Sequence, residues 1–89
     1  MEIEVYDTYA TSEKGVKIHF DVMLAIGGNE GHASSYAQDF IKQITESTDF
    51  FKLDSCKFCH TEEATTNVSE KVEKDGYCIV PIENCPNLY

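Results

Sequence analysis

The sequence predicts an α+β fold: a two-layer sandwich with a four-stranded mixed sheet and two helices on one face. Three observations predict it. Two stretches near the N-terminus alternate apolar and polar residues on either side of a short polar loop, as paired strands do. Two later stretches space their apolar residues three and four apart, as helices lying on a core do. The elements follow in the order β-β-α-β-α-β, and a chain of 89 residues holds one domain.

The first strand is "EIEVYDTYA", with Ile3 and Val5 on one side and Glu2, Glu4 and Tyr6 on the other. "TSEKG" is the loop, and Gly15 suits a left-handed turn position. The second strand, "VKIHFDVMLA", sets Val16, Ile18, Phe20, Val22 and Leu24 against Lys17, His19, Asp21 and Met23. After the glycines of "IGGNEG", the stretch "HASSYAQDFIKQITES" carries Ala33, Tyr36, Ala37, Phe40, Ile41 and Ile44 on one helical stripe. Asn29 or Glu30 serves its N-terminus. "FFKLDSC" is a short third strand. In "TTNVSEKVEKDG", Val68 and Val72 stack one turn apart, Asn67 and Glu70 resemble a capping box, and Gly76 suits the left-handed C-terminal cap. "YCIVPI" is the last strand, and Pro81 predicts an edge position for it. Both helices are expected on the side of Ile3, Phe20 and Val22. The opposite side then carries Glu2, Glu4, Tyr6, His19 and Asp21, either in water or against a partner.

The net charge of −9 repels phosphate backbones, so nucleic acid and anionic membrane surfaces are excluded as partners. No apolar run reaches the ~20 residues that span a bilayer. The start, "MEIEVYDTYA", has no basic segment leading into an apolar one, so a cytoplasmic location is expected. There the four cysteines are expected to be reduced.

Two groups of residues can carry chemistry. The first is "CKFCH", Cys56 to His60, which has the literal form of a haem attachment motif, a zinc half-site or a redox dithiol. Haem attachment needs an oxidising compartment and a helical wrap, and neither is foreseen. Zinc would take Cys56, Cys59 and His60, with Cys85 from the tail as fourth ligand and Cys78 competing for that place. A redox thiol wants a helix N-terminus directly after it and no acids nearby, whereas Glu62 and Glu63 follow. The plainest reading makes both cysteines small buried apolar groups.

The second group is Tyr6, Asp7, His19 and Asp21. A hairpin centred on "TSEKG" sets Tyr6 opposite His19 and Glu4 opposite Asp21, which brings phenol, imidazole and carboxylate together on one open face. Such a face can bind a ligand or can be a self-satisfied cross-strand network. Asp7 alternates onto the apolar side with Val5, where a carboxylate needs donors or a bulge to re-aim it.

The motifs "VYDTY", "HFDV", "CKFCH", "GY" and a terminal "NC", in that order, resemble those of a family of small bacterial proteins known as domain of unknown function number twenty twenty-four. The resemblance covers nearly the whole chain. It rests on Tyr6, Asp7, Thr8, Tyr9, His19, Phe20, Asp21, Cys56, Phe58, Cys59, His60, Gly76, Tyr77 and Cys85. It implies a compact α+β fold and no particular activity. The family pattern often has a proline at the start of the second helix, and "ATTNV" has none.

A binding or structural interaction module is therefore expected, with a Cys/His segment able to hold zinc. Its partner is a protein or a small molecule, a second copy of the chain included. The alternative is a thiol-dependent or metal-dependent enzyme using Cys56, Cys59 and His60. No Gly-rich nucleotide loop, Ser-His-Asp order or H-E-x-x-H accompanies them.

Overall fold

The computed structural model describes residues 1–44 and 50–85. The first two strands pair antiparallel as the alternation predicts; the first runs two residues further than expected and the second starts one residue later. β1 is Glu2–Ser12 and β2 is Lys17–Ala25. Their turn is short and closed by its own groups. Ser12 N donates to Val16 O at 2.9 Å, Gly15 N donates to Ser12 O at 3.0 Å, and Gly15 takes φ +86°.

The longer first strand and shorter turn change the register. Tyr9 stands opposite His19, Asp7 opposite Asp21 and Tyr6 opposite Val22. The expected pairing of Tyr6 with His19 and Glu4 with Asp21 is therefore corrected. It differs by an odd number of residues, and an odd slip moves every side chain of one strand to the other face. Ile3, Val5, Asp7 and Tyr9 consequently share a side with His19, Asp21 and Met23. Tyr6, Thr8 and Ala10 share the other with Ile18, Phe20, Val22 and Leu24.

Both sides now carry apolar residues, and each receives a helix. α1 (Glu30–Ile44) starts where Asn29 Oδ1 accepts from His32 N at 2.9 Å. It lays Ala33, Ala37, Phe40, Ile41 and Ile44 on Tyr6, Ala10, Ile18, Phe20, Val22 and Leu24. The predicted helix also took in Thr45, Glu46 and Ser47, which lie outside the described residues. α2 (Thr66–Asp75) covers Ile3, Val5 and Met23 with Val72 and Val68. The helices thus lie on opposite faces, which corrects the expectation of one shared face. With Ile3 and Val5 on the side away from α1, that side would leave an apolar patch in water without a cover of its own. α2 is capped by Thr65, whose side chain accepts from Val68 N at 3.3 Å, two residues before the expected Asn67. Gly76 ends the helix in the left-handed conformation, as read from the sequence, and its N–H donates to Val72 O.

The third strand is the largest departure. β3 runs Phe51–Glu63, straight through "CKFCH". It pairs with β1 along its whole length, with bulges between Val5 and Tyr6 and between Tyr9 and Ala10 that leave Cys59 and Asp54 unpaired. Those bulges interrupt the alternation, so period-two reading stops at Cys56. β4 (Cys78–Glu83) pairs with β2 and forms an edge, as Pro81 predicts. The sheet order is β3-β1-β2-β4 and every neighbouring pair is antiparallel, which corrects the mixed sheet expected. The crossover through α1 carries the chain from β2 over β1 to β3, and the one through α2 carries it across the whole sheet from β3 to β4, so strands that run in the same direction never become neighbours. The tail residues 86–89 lie outside the described residues.

Candidate functional site

α2 is only ten residues long and covers only part of its face. The rest of that face, towards the Tyr9 end of β1, stays open. Regular pairing puts three chemistry-bearing side chains there. Asp7 on β1 faces Asp21 on β2, and His19 lies two residues before Asp21 on the same side of β2. His19 Nε2 is 3.0 Å from Asp7 Oδ1 and 3.9 Å from Asp21 Oδ1. One ligand atom from each of the three lies within 4.8 Å of the others.

The surroundings hold this group in place. The Tyr9 ring stacks flat on the His19 imidazole, with centroids 4.3 Å apart and 8° between planes. The His19 and Asp21 side chains are 18% and 17% exposed, and Asp7 is open at 41%. Burial, and after it the neighbouring Asp7 charge, push the Asp21 carboxyl above its ordinary range, with His19 acting in the opposite direction. Two aspartates directly opposite each other repel. A proton or a cation between them removes that repulsion.

Three of the four residues read as a sheet-face site are thus brought together, and Tyr6 is not. It is 3% exposed under α1, donates to Glu4 Oε1 at 3.0 Å, and burial pushes its pKa up to about 12. Tyr9 takes its place. The alternating pattern ends the first strand at Ala10, which hides this pairing; running β1 to Ser12 makes Tyr9 the partner of His19. Asp7 needs neither backbone donors nor a bulge, since the side it shares with Val5 opens to water beyond α2.

The residues read as a zinc set are spread out. Cys56 is buried on the α1 side, where Thr8 Oγ1 donates to its Sγ at 3.4 Å. Cys59 is exposed at a bulge. His60 stands opposite Val5, with Nε2 2.7 Å from Glu62 Oε1. Cys85 lies past β4, at the other edge of the sheet, and donates to His19 O at 3.4 Å. Cys78 packs with Met23 under α2. Burial pushes the Cys78 and Cys85 thiols up from their ordinary range. Among the described residues these groups do not converge; Asp7, His19 and Asp21 do. A strand also spaces Cys56 and Cys59 by up to ~10 Å along its length, beyond the Cα separation of a disulfide.

The family model described as "Domain of unknown function (DUF2024)" matches residues 1–82. The chain belongs to this family. The DUF2024 chain is also similar to a solved structure, the NMR structure of protein NE1680 from Nitrosomonas europaea, a Northeast Structural Genomics Consortium target. The two are 34% identical, with a TM-score of 0.78 over 97% of this chain and 100% of that one. No curated protein matches the chain. No helix among the described residues is long and apolar enough to cross a membrane.

Proposed function

We propose that this DUF2024 chain is a small binding module whose open half-face takes up one divalent transition-metal ion, zinc or a chemical relative, between Asp7, His19 and Asp21. The observation that carries the reading is the convergence of three ligand atoms from two paired strands within 4.8 Å. Separations of 3.0 and 3.9 Å from His19 Nε2 to the two carboxylates match the ~3–4 Å between neighbouring ligands of an ion with bonds of ~2.0–2.2 Å. One imidazole and two carboxylates suit the harder transition ions better than a thiolate set would. Three protein ligands leave a position open for water or an anionic small molecule. Tyr9 stacks on His19 and fixes its ring plane, and that partly exposed face is where such a molecule would approach. Cys56, Cys59, His60 and Cys85 then serve packing and surface roles, and the thiol-dependent enzyme loses its constellation.

The test is calorimetric titration of untagged, chelator-treated protein with zinc and cobalt, with absorption spectra of the cobalt form. One ion per chain is expected, without the intense thiolate bands of a sulfur-ligated site. Binding is lost in His19→Ala and Asp21→Asn and kept in Cys59→Ser and Cys85→Ser. An ion held a hundredfold above its dissociation constant adds about 2.7 kcal/mol of stability, which raises the melting temperature of a domain this size by ~10 °C or more. No binding up to millimolar ion, or binding lost in the cysteine variants instead, overturns the reading.

A further inference from the structure

We propose that β3 is a self-pairing edge, along which two copies of the chain join antiparallel about Lys57 and extend the four-stranded sheet to eight strands. β3 is an end strand, so its outer backbone groups face no other strand among the described residues. It is 13 residues long, and residues 57–63 are all exposed. An open edge of that length is a template for another strand.

The sequence of β3 says which strand fits. When an antiparallel pair forms about a twofold axis at Lys57, each residue before it meets the residue equally far after it. Lys52 then meets Glu62 of the second copy, and Asp54 meets His60. Cys56 meets Phe58, and Leu53 meets Thr61. These partners also share faces, which antiparallel pairing requires. Lys52, Lys57, His60 and Glu62 stand opposite Thr11, Asp7, Val5 and Ile3, on the side of the Asp7 cluster. Asp54 joins them, because Thr11 Oγ1 donates to its carboxylate. Leu53, Cys56, Phe58 and Thr61 stand opposite Ala10, Thr8, Tyr6 and Glu4, on the α1 side.

Neighbouring registers lose this match. Centring on Phe58 sets Asp54 against Glu62, and centring on Cys56 sets Lys52 against His60. A centre between two residues pairs opposite faces. Lysines and bulges also serve to keep an edge single, but guarding alone does not require opposite charges placed symmetrically about one residue. The unfavourable meeting, Lys57 with its own copy, is relieved by Asp7, the β1 partner of each lysine. The row across the joined sheet reads Asp21, Asp7, Lys57, then the same three in reverse. Phe58, 48% exposed on the α1 side and edge-on to Tyr6, gains apolar cover from the second copy.

The proposal does not depend on metal binding, and its test needs no ion. Untagged protein is sedimented from ~1 to ~500 μM at ~0.15 M salt, where charges beyond ~8 Å are screened. A concentration-dependent dimer is expected. Lys52→Glu and Glu62→Lys each turn two symmetry-related attractions into repulsions and weaken the dimer by about tenfold or more. The double variant restores it to within about threefold, because both pairs are again opposite in sign. Both positions are exposed, and circular dichroism verifies that each variant is folded. A monomer throughout the range overturns the proposal. So does a dimer indifferent to the single swaps, since it uses another surface.

Discussion

Asp7 and Asp21 stand directly opposite each other on neighbouring strands, with His19 Nε2 3.0 Å from the first and 3.9 Å from the second. Two carboxylates so placed cost stability unless something positive stands between them. Replacing one of them should therefore separate stability from binding. In metal-free protein at neutral pH, Asp21→Asn removes the repulsion, and a gain of about 0.5–1 kcal/mol is expected. The same variant should lose its ion. Urea unfolding with and without zinc checks both halves together. A variant that is less stable without metal and equally stabilised by it would contradict the role given to this pair.

The four cysteines should react in a definite order. Cys59 is exposed, Cys56 and Cys78 are buried, and Cys85 is half-buried. Burial raises the pKa of Cys78 and Cys85, which lowers their thiolate fraction further. Alkylation of the folded protein, followed by mass spectrometry, should label Cys59 first. The other three should follow only slowly or after denaturation. Fast labelling of Cys56 would mean that its bond with Thr8 does not close that part of the core.

Gly76 holds the end of α2 at φ +88°, and a Cβ there would lie 2.9 Å from Tyr36 Oη. Tyr36 in turn stacks on Tyr77 at 4.1 Å, joining α1 to the start of β4. Gly76→Ala should cost about 1–2 kcal/mol, from the left-handed backbone and the displaced tyrosine together. Thermal unfolding measures it. A loss near zero would mean that the Tyr36–Tyr77 stack contributes nothing and that the cap relaxes freely.

Tyr6 should give the protein an alkaline weakness. Burial, and then its bond to Glu4, raise its pKa from 10 to about 12. The folded state thus holds the proton more tightly than the unfolded chain does. This contribution is complete below pH 10 and is lost as pH rises towards 12. Burial raises Tyr77, Cys78 and Cys85 in the same direction. Stability should fall steadily above about pH 9, and Tyr6→Phe should flatten the part above pH 10. An unchanged slope in that variant would place the alkaline sensitivity elsewhere.

Much was legible in the order of the residues because local physics decides it. Alternation marks the hairpin, the stripe from Ala33 to Ile44 marks α1, Gly76 marks the end of α2, and Pro81 marks β4 as an edge. His19 and Asp21 are legible as neighbours because they stand two apart on one strand, whereas strict alternation puts Asp7 on the side of Val5, and only the register brings the two sides together. The sequence by itself therefore determined the number, kind and order of the elements, and that His19 and Asp21 share one side of β2. It could not determine register. A hairpin turn one residue tighter or looser changes which faces coincide, and here that choice exchanged Tyr6 for Tyr9 beside His19. Nor could it show that "CKFCH" is strand, since a bulge at Cys59 erases the period that would reveal it and only the long neighbour β1 supplies the ladder. The tertiary structure decided these points, and with them the placing of the two helices on opposite faces. Each depends on hydrogen bonds and apolar cover between residues far apart in the chain, which no local pattern contains.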